Sequence, residues 1–121
     1  MKPLLWVQTY VLAYPVLLPL ATYLTWLAGR WSLGHWPRPG LDDPKSIGTL
    51  VSLMHGGTLL VATAGMGLFL AGWLVLLGVA VRRPEQRPAL MRISGWAALA
   101  FALAVGLLRW DPLSVGNWLA D

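Results

Sequence analysis

The chain has 121 residues, of which 57% are hydrophobic and only 12% charged, against about 25% charged residues in an average soluble domain. It contains no cysteine, which excludes disulfides, thiol chemistry and cysteine-ligated metals. The net charge of +4 comes from basic residues scattered over predicted helix ends and loops, so nucleic acid is not an expected partner. The length allows one domain, residues 1–121.

Three long stretches, residues 3–29, 46–81 and 93–108, contain no Asp, Glu, Lys or Arg. A helix needs only about 20 apolar residues to cross a bilayer. We therefore predict an all-α integral membrane protein with three transmembrane helices, over about residues 4–28, 57–81 and 89–109. The lipid bilayer is its first expected partner.

The first span is predicted to be an uncleaved helix rather than a signal peptide. Its apolar run exceeds the usual signal core of about 7–15 residues, and bulky Trp26 and Leu27 stand where cleavage needs small residues. Pro15 and Pro19 each remove a backbone donor, which predicts a kink. Candidate donors for the carbonyls freed by these prolines are nearby hydroxyls, Thr9, Tyr10 and Tyr14.

The loop 30–45 is the most polar segment, and Asp43 followed by Pro44 is typical of a helix start. The uncharged run that follows has 36 residues and would measure about 54 Å as one helix, against a hydrocarbon core of about 30 Å. We predict a break at the glycine pair 56–57, with an interfacial helix over about 44–55 before the second span. A single long tilted helix is the alternative.

The loop 82–92 is short and basic, and the tail 110–121 is predicted to form a short amphipathic helix on the membrane surface. Five Lys and Arg residues lie on the side of the N-terminus and loop 82–92, against four on the other side. The positive-inside rule therefore places the N-terminus in the cytoplasm of a multi-pass protein of the plasma or inner membrane.

Small residues recur on the second and third spans in patterns that favour close packing of helices in lipid. Residues seven apart lie on nearly the same face of a helix. The second span has two such stripes, and the third has one at four-residue spacing, which predicts that spans two and three pack as an antiparallel hairpin. The stripes are Gly57, Ala64, Ala71, Gly78; Thr58, Gly65, Gly72; and Ser94, Ala98, Ala102, Gly106.

Five of the eight tryptophans fall on the side of loop 30–45 and the tail, more than interfacial anchoring needs. This excess predicts a folded cap in which loop and tail pack together. Within the cap Arg109 is expected to pair with an acidic side chain, for which the candidates are Asp42, Asp43, Asp111 and Asp121. A second Asp-Pro pair, at 111–112, again indicates a helix start.

His55 is the only histidine with a case for lying within a spanning run, since it falls in the uncharged stretch 46–81 just before the glycine pair. A neutral imidazole can ligate the metal of a haem or chlorophyll, so one interpretation is a tetrapyrrole site. The other interpretation is a hydrogen-bonded histidine that links helices.

No catalytic pattern, phosphate-binding loop or metal cluster is present in the sequence, and no span carries a charged residue away from its ends. The expected function is therefore that of a small non-enzymatic subunit, accessory to a larger membrane complex, whose partners are other membrane subunits. The alternatives are a tetrapyrrole-binding subunit that uses His55, and a small membrane carrier or channel.

Overall fold

A computed structural model describes residues 2–111 and 113–120, and the regular elements in these residues are all helical. Three of the four helices, α1 to α3, are long and apolar enough to cross a membrane. This confirms the predicted all-α class and the number of candidate spans. The bounds are α1, Lys2–Leu33; α2, Thr49–Arg82; α3, Arg87–Trp110; and α4, Val115–Ala120.

The predicted break in the second span is wrong, because α2 runs without interruption through the glycine pair 56–57. A break in apolar surroundings would leave backbone N–H and C=O groups unpaired, whereas a glycine inside a helix costs only about 1 kcal/mol. The long-helix alternative is therefore the one observed. No separate helix forms over 44–55: the Asp43 carboxylate accepts the Lys45 N–H (2.9 Å) in a turn, and α2 begins at Thr49.

One part of α2 is not regular α-helix. Residues Val61–Gly65 form a π turn between two α-helical parts, Thr49–Leu60 and Met66–Arg82. The hydroxyl of Tyr14 on α1 donates to the carbonyl of Val61 at 2.8 Å, and the hydroxyl of Tyr10 donates to the carbonyl of Gly65 at 2.7 Å. The two tyrosines thus bond the two ends of the π turn.

A third polar contact joins α1 and α2 nearer the C-terminal end of α1. The hydroxyls of Thr25 and Thr58 lie 2.8 Å apart, and both side chains are buried. The sequence had suggested that Tyr10 and Tyr14 serve carbonyls of their own helix. They bond α2 instead, so α1 and α2 share a polar seam made of Tyr10, Tyr14 and the Thr25–Thr58 pair.

The main core lies where α1, α2 and α3 meet. A ladder of aromatic rings crosses it: Tyr14 stacks on Phe69 with centroids 5.2 Å apart, and Phe69 stacks on Phe101 at 4.9 Å. Each ring belongs to a different helix, so the ladder ties all three together. The buried residues of this core are Val11, Tyr14, Leu18, Phe69, Leu76, Ala80, Leu90 and Ala97.

The second span uses only one of its two predicted stripes for internal packing. Thr58 is buried, and a Cβ added to Gly65 or Gly72 would lie 2.8 Å from the Tyr14 ring or 3.0 Å from Val11. This stripe therefore packs on α1 and not on the third span. The other stripe lies on the outer surface, where all four residues are exposed: Gly57, Ala64, Ala71 and Gly78.

The predicted stripe of α3 is also placed differently. Ser94 is buried, and its carbonyl accepts the indole N–H of Trp73 at 3.3 Å, so α2 and α3 do contact each other. Ala98, Ala102 and Gly106 are exposed. The face that packs is rotated from the predicted one because it must present the Phe101 ring to Phe69, and it comprises Leu90, Ser94, Ala97, Phe101 and Ala104.

We predict that Tyr14→Phe destabilises the bundle by about 1 kcal/mol, the usual contribution of one such hydrogen bond between helices. The ring and its stacking on Phe69 remain, so the loss reports on the bond to Val61 alone. Thermal unfolding in mild detergent measures it, with Tyr23→Phe as the matched control, since no hydrogen bond involves the Tyr23 hydroxyl in the described part of the chain. Equal stability of the two variants would contradict the prediction.

Candidate functional site

The outer face of α2 carries a groove beside the exposed stripe of small residues. The groove lies between α1 and α2 and has a volume of about 370 Å³. Ala71 belongs to both features, and Gly72 forms part of the floor. Exposed Trp6 and Leu68 stand at its edges. Its lining residues are Trp6, Val7, Tyr10, Leu68, Ala71, Gly72 and Val75.

The chemistry of this face is that of helix association. A small-residue stripe lets the backbone of a second helix approach closely, and a groove next to it accepts one large side chain. We define the docking face as the stripe Gly57, Ala64, Ala71 and Gly78 together with this groove. All four small residues are exposed, and a Cβ added to Gly57 or Gly78 would meet no atom within 4 Å, so the face is accessible to another helix.

A cap closes the end of the bundle where α1 ends and α2 begins. Trp118 of α4 is fully buried there, with its ring against Gly29 and Pro37. Its indole N–H donates to the carbonyl of Asp42, which fastens the tail to the loop. The predicted cap of loop against tail is confirmed, and Gly29 is the residue that leaves room for the Trp118 ring.

Further aromatic contacts hold the loop to α1. Trp26 and Trp36 stack with centroids 4.4 Å apart, and the Arg30 guanidinium lies 5.1 Å from the centre of the Trp36 ring. The carboxylate of Asp42 accepts the backbone N–H of Arg38 at 2.9 Å and pairs with its guanidinium at 3.4 Å. The loop is thus held by packing and by its own short-range bonds.

The expected ion pairs of Arg109 do not form among the described residues. Arg109 is exposed, while Asp42 pairs with Arg38 and Asp43 pairs with Lys45. Asp121, a further predicted partner, lies outside the described residues. The local pairs Arg38–Asp42 and Lys45–Asp43 form instead, because pairing residues that are close in the chain loses little conformational entropy.

Asp111 ends α3 and helps to begin α4. It adopts a left-handed conformation (φ 40°), which turns the chain back towards the bundle, and its carboxylate accepts the N–H of Asn117 at 3.2 Å. The predicted helix start at Asp111 is therefore wrong in position, because Asp111 is the C-cap of α3 and α4 begins at Val115. Its companion Pro112 lies outside the described residues.

His55 links α2 to the tail. Its side chain is buried, and its Nε2 lies 2.8 Å from the carbonyl oxygen of Leu119 in α4. A carbonyl only accepts hydrogen bonds, so Nε2 is the donor in this contact. This geometry agrees with the interpretation of His55 as a link between helices. A metal could bind Nε2 only after Leu119 had moved away.

A cavity of about 300 Å³ lies next to His55, under α4. Its volume is at the lower end of small-molecule sites, which begin at about 300 Å³. Polar groups come from Thr22, His55 and Thr58 alone, and each is already hydrogen-bonded within the protein. The remaining lining is apolar or glycine: Leu18, Leu59, Ala62, Met66, Leu108, Gly116, Leu119 and Ala120.

Sequence reasoning missed two of the residues that organise these sites. Trp118 was counted as one of five interfacial tryptophans, although it is the anchor of the cap. Tyr10, which borders the groove and bonds the π turn, was assigned to the prolines of its own helix. In both cases the sequence shows the polar tip of the side chain but not the carbonyl across the fold that it meets.

Comparison of the chain with known protein families, curated proteins and solved structures gives no match.

We predict that Gly29→Ala destabilises the cap by about 1–3 kcal/mol, the usual cost of overpacking. The new Cβ would lie 2.9 Å from Trp118 and 3.1 Å from Pro37. The proline ring is part of the backbone, and the Trp118 ring is fully buried and hydrogen-bonded to Asp42, so neither ring can move away easily. Gly57→Ala is the control, because no atom lies within 4 Å of its added Cβ. Thermal unfolding should separate the two variants, and a stable Gly29→Ala protein would show that the ring of Trp118 is not fixed there.

We also predict that His55→Ala loosens α4, since it removes the donor to Leu119. Amide hydrogen exchange over residues 115–120 should become faster, while exchange over 66–82 stays unchanged. The control is Thr63→Ala, an exposed position of α2 whose hydroxyl bonds only its own helix. Unchanged exchange of α4 in His55→Ala would mean that Trp118 alone holds the tail.

Proposed function

We propose that this chain is a small, non-enzymatic, multi-pass membrane protein that acts as an accessory or assembly subunit of a larger membrane complex. The bundle would lie in a bacterial-type plasma membrane, with loop 83–86 and the start of α1 on the cytoplasmic side and the cap outside. Its partner would be a transmembrane helix of another subunit, seated on the docking face.

The observation that carries this proposal is that one of the two small-residue stripes of α2 is exposed along its whole length. Residues Gly57, Ala64, Ala71 and Gly78 span most of the length of the helix, and all four are exposed. Lipid tails are as apolar as leucine, so a lipid-facing surface has no need of small residues, whereas a helix–helix contact does. The adjoining groove supplies a place for one large side chain of the partner.

The rest of the structure supports a scaffold role. The cap is fastened by Trp118, by the Trp26–Trp36 stack and by the His55–Leu119 bond, so the end of α1 and the beginning of α2 are held in place. A rigid bundle with one unused packing face is suited to binding a partner helix with little loss of conformational freedom.

A tetrapyrrole subunit remains the second candidate because of the cavity beside His55. The Nε2 atom of His55 is bonded to Leu119, so a macrocycle ligated through this atom would have to displace α4. Purification from the native membrane with a spectrum from 350 to 800 nm tests this candidate directly. A Soret or chlorophyll-type band that is lost in His55→Ala would replace the accessory-subunit proposal.

We predict that Ala64→Leu and Ala71→Leu each release the partner subunits during purification in mild detergent. A leucine side chain at either position would hold the partner backbone away from α2, and one such change can reduce the affinity of a close helix pair by tenfold or more. Quantitative mass spectrometry of the co-eluting proteins measures the stoichiometry.

Gly56→Leu is the matched control for these variants. Gly56 is exposed on the same helix with open space around it, but it lies about 100° around the helix from Gly57 and therefore off the stripe. Retention of stoichiometric partners in all three variants would refute the docking face. A colourless wild-type protein that elutes alone would refute the subunit proposal and favour the carrier or channel alternative, which flux measurements in liposomes then test.

A further inference from the structure

A second groove lies at the opposite end of the bundle from the cap, where α1 begins and the turn between α2 and α3 passes beside it. Its volume is about 370 Å³. Three polar side chains and two leucines form its walls: Lys2, Gln8, Gln86, Leu4 and Leu5. We call it the basic-end groove.

The polar side chains of this groove are unusual in having no partners of their own. Gln8 and Gln86 are half-buried, and neither side-chain amide forms a hydrogen bond with any residue that the structure describes. Both amides are partly exposed and unpaired, so both can donate to a ligand that binds in the groove. The Lys2 ammonium adds three further donors, and all of these groups can donate to one acceptor-rich group.

The charge around the groove selects an anion. Lys2, Arg82, Arg87 and Arg92 are exposed, and none of them pairs with a carboxylate in residues 2–111 or 113–120. Glu85 is the one acidic residue of the loop 82–92. A ligand at this end would therefore meet a field that is strongly positive, and its acceptor group should carry a negative charge.

The apolar side of the groove, formed by two leucines, indicates that the ligand also has a hydrocarbon part. Leu5 is 62% exposed, and it lies one turn before the groove-lining Gln8 on α1. Leu4 and Leu5 thus offer a path for hydrocarbon next to the amides and the ammonium. A molecule that combines a phosphate with hydrocarbon chains fits both halves, whereas a free inorganic anion would leave the leucines uncovered.

We propose that the basic-end groove binds one anionic phospholipid, with its phosphate on Lys2, Gln8 and Gln86 and its acyl chains along Leu4 and Leu5. The inference rests on the membrane location of the proposed function but not on any partner subunit. The bound lipid would join the start of α1 to the turn at Gln86 and so fasten the end of the bundle that has no aromatic cap.

The test is lipid-dependent thermal unfolding of the purified chain in an uncharged detergent. Phosphatidylglycerol is titrated in, and phosphatidylcholine serves as the neutral lipid of equal chain length. We expect the unfolding midpoint to rise with phosphatidylglycerol and to saturate, since binding to the folded state alone stabilises it by mass action. Lys2→Gln should weaken the apparent affinity about fivefold, the usual effect of one basic residue at an anionic lipid surface.

Lys45→Gln is the matched control, because Lys45 lies in the loop at the opposite end and should leave the affinity unchanged. Gln86→Ala, at an uncharged position of the groove, should also weaken the affinity, which a purely diffuse electrostatic attraction would not predict. Equal stabilisation by phosphatidylcholine, or unchanged affinity in both Lys2→Gln and Gln86→Ala, would overturn the proposal. Protection by inorganic phosphate at the same concentration would overturn it too and indicate a site for a soluble anion.

Discussion

The polar seam between α1 and α2 is the constraint on which the bundle depends. In apolar surroundings a hydroxyl has few partners, and the ends of the π turn in α2 offer carbonyls that accept a second bond. Tyr10 and Tyr14 take these two carbonyls, and Thr25 pairs with Thr58 farther along. These three contacts fix the rotation of α1 against α2 and the axial position of one helix relative to the other. The other elements then pack on this pair.

Once this register is set, large rings decide which small residues are used inside. The Tyr14 ring fills the space over Gly65 and stacks on Phe69, which in turn stacks on Phe101. α3 must therefore turn Phe101 inward, and as a result Ala98 and Ala102 face outward. Small residues pack against large ones here rather than against each other, and the stripe from Gly57 to Gly78 is left exposed on the outer surface of α2.

The two ends of the bundle are stabilised by different means. At one end, the Trp26–Trp36 stack joins loop 30–45 to α1, the Trp118 indole joins α4 to the loop, and His55 joins α4 to α2. At the other end a four-residue turn connects α2 and α3, and the side chains around it are basic and polar with few internal partners. We propose that a charged lipid headgroup binds at this end. It would hold the start of α1 to the turn between α2 and α3, as aromatic packing holds loop and tail together at the cap.

The sequence by itself determined the helical class, the three candidate spans and the existence of a cap. These follow from local properties, because a long uncharged segment must pair its backbone groups within its own helix, and tryptophans gather at an interface. Only the tertiary structure decided which faces meet. Helix rotation depends on pairs far apart in the chain, such as Tyr14 with Val61 and Trp118 with Asp42, and no periodicity within one helix encodes its partner. The glycine pair 56–57 could not reveal either of these partners, and α2 continues through it because a break in apolar surroundings would leave backbone groups unpaired.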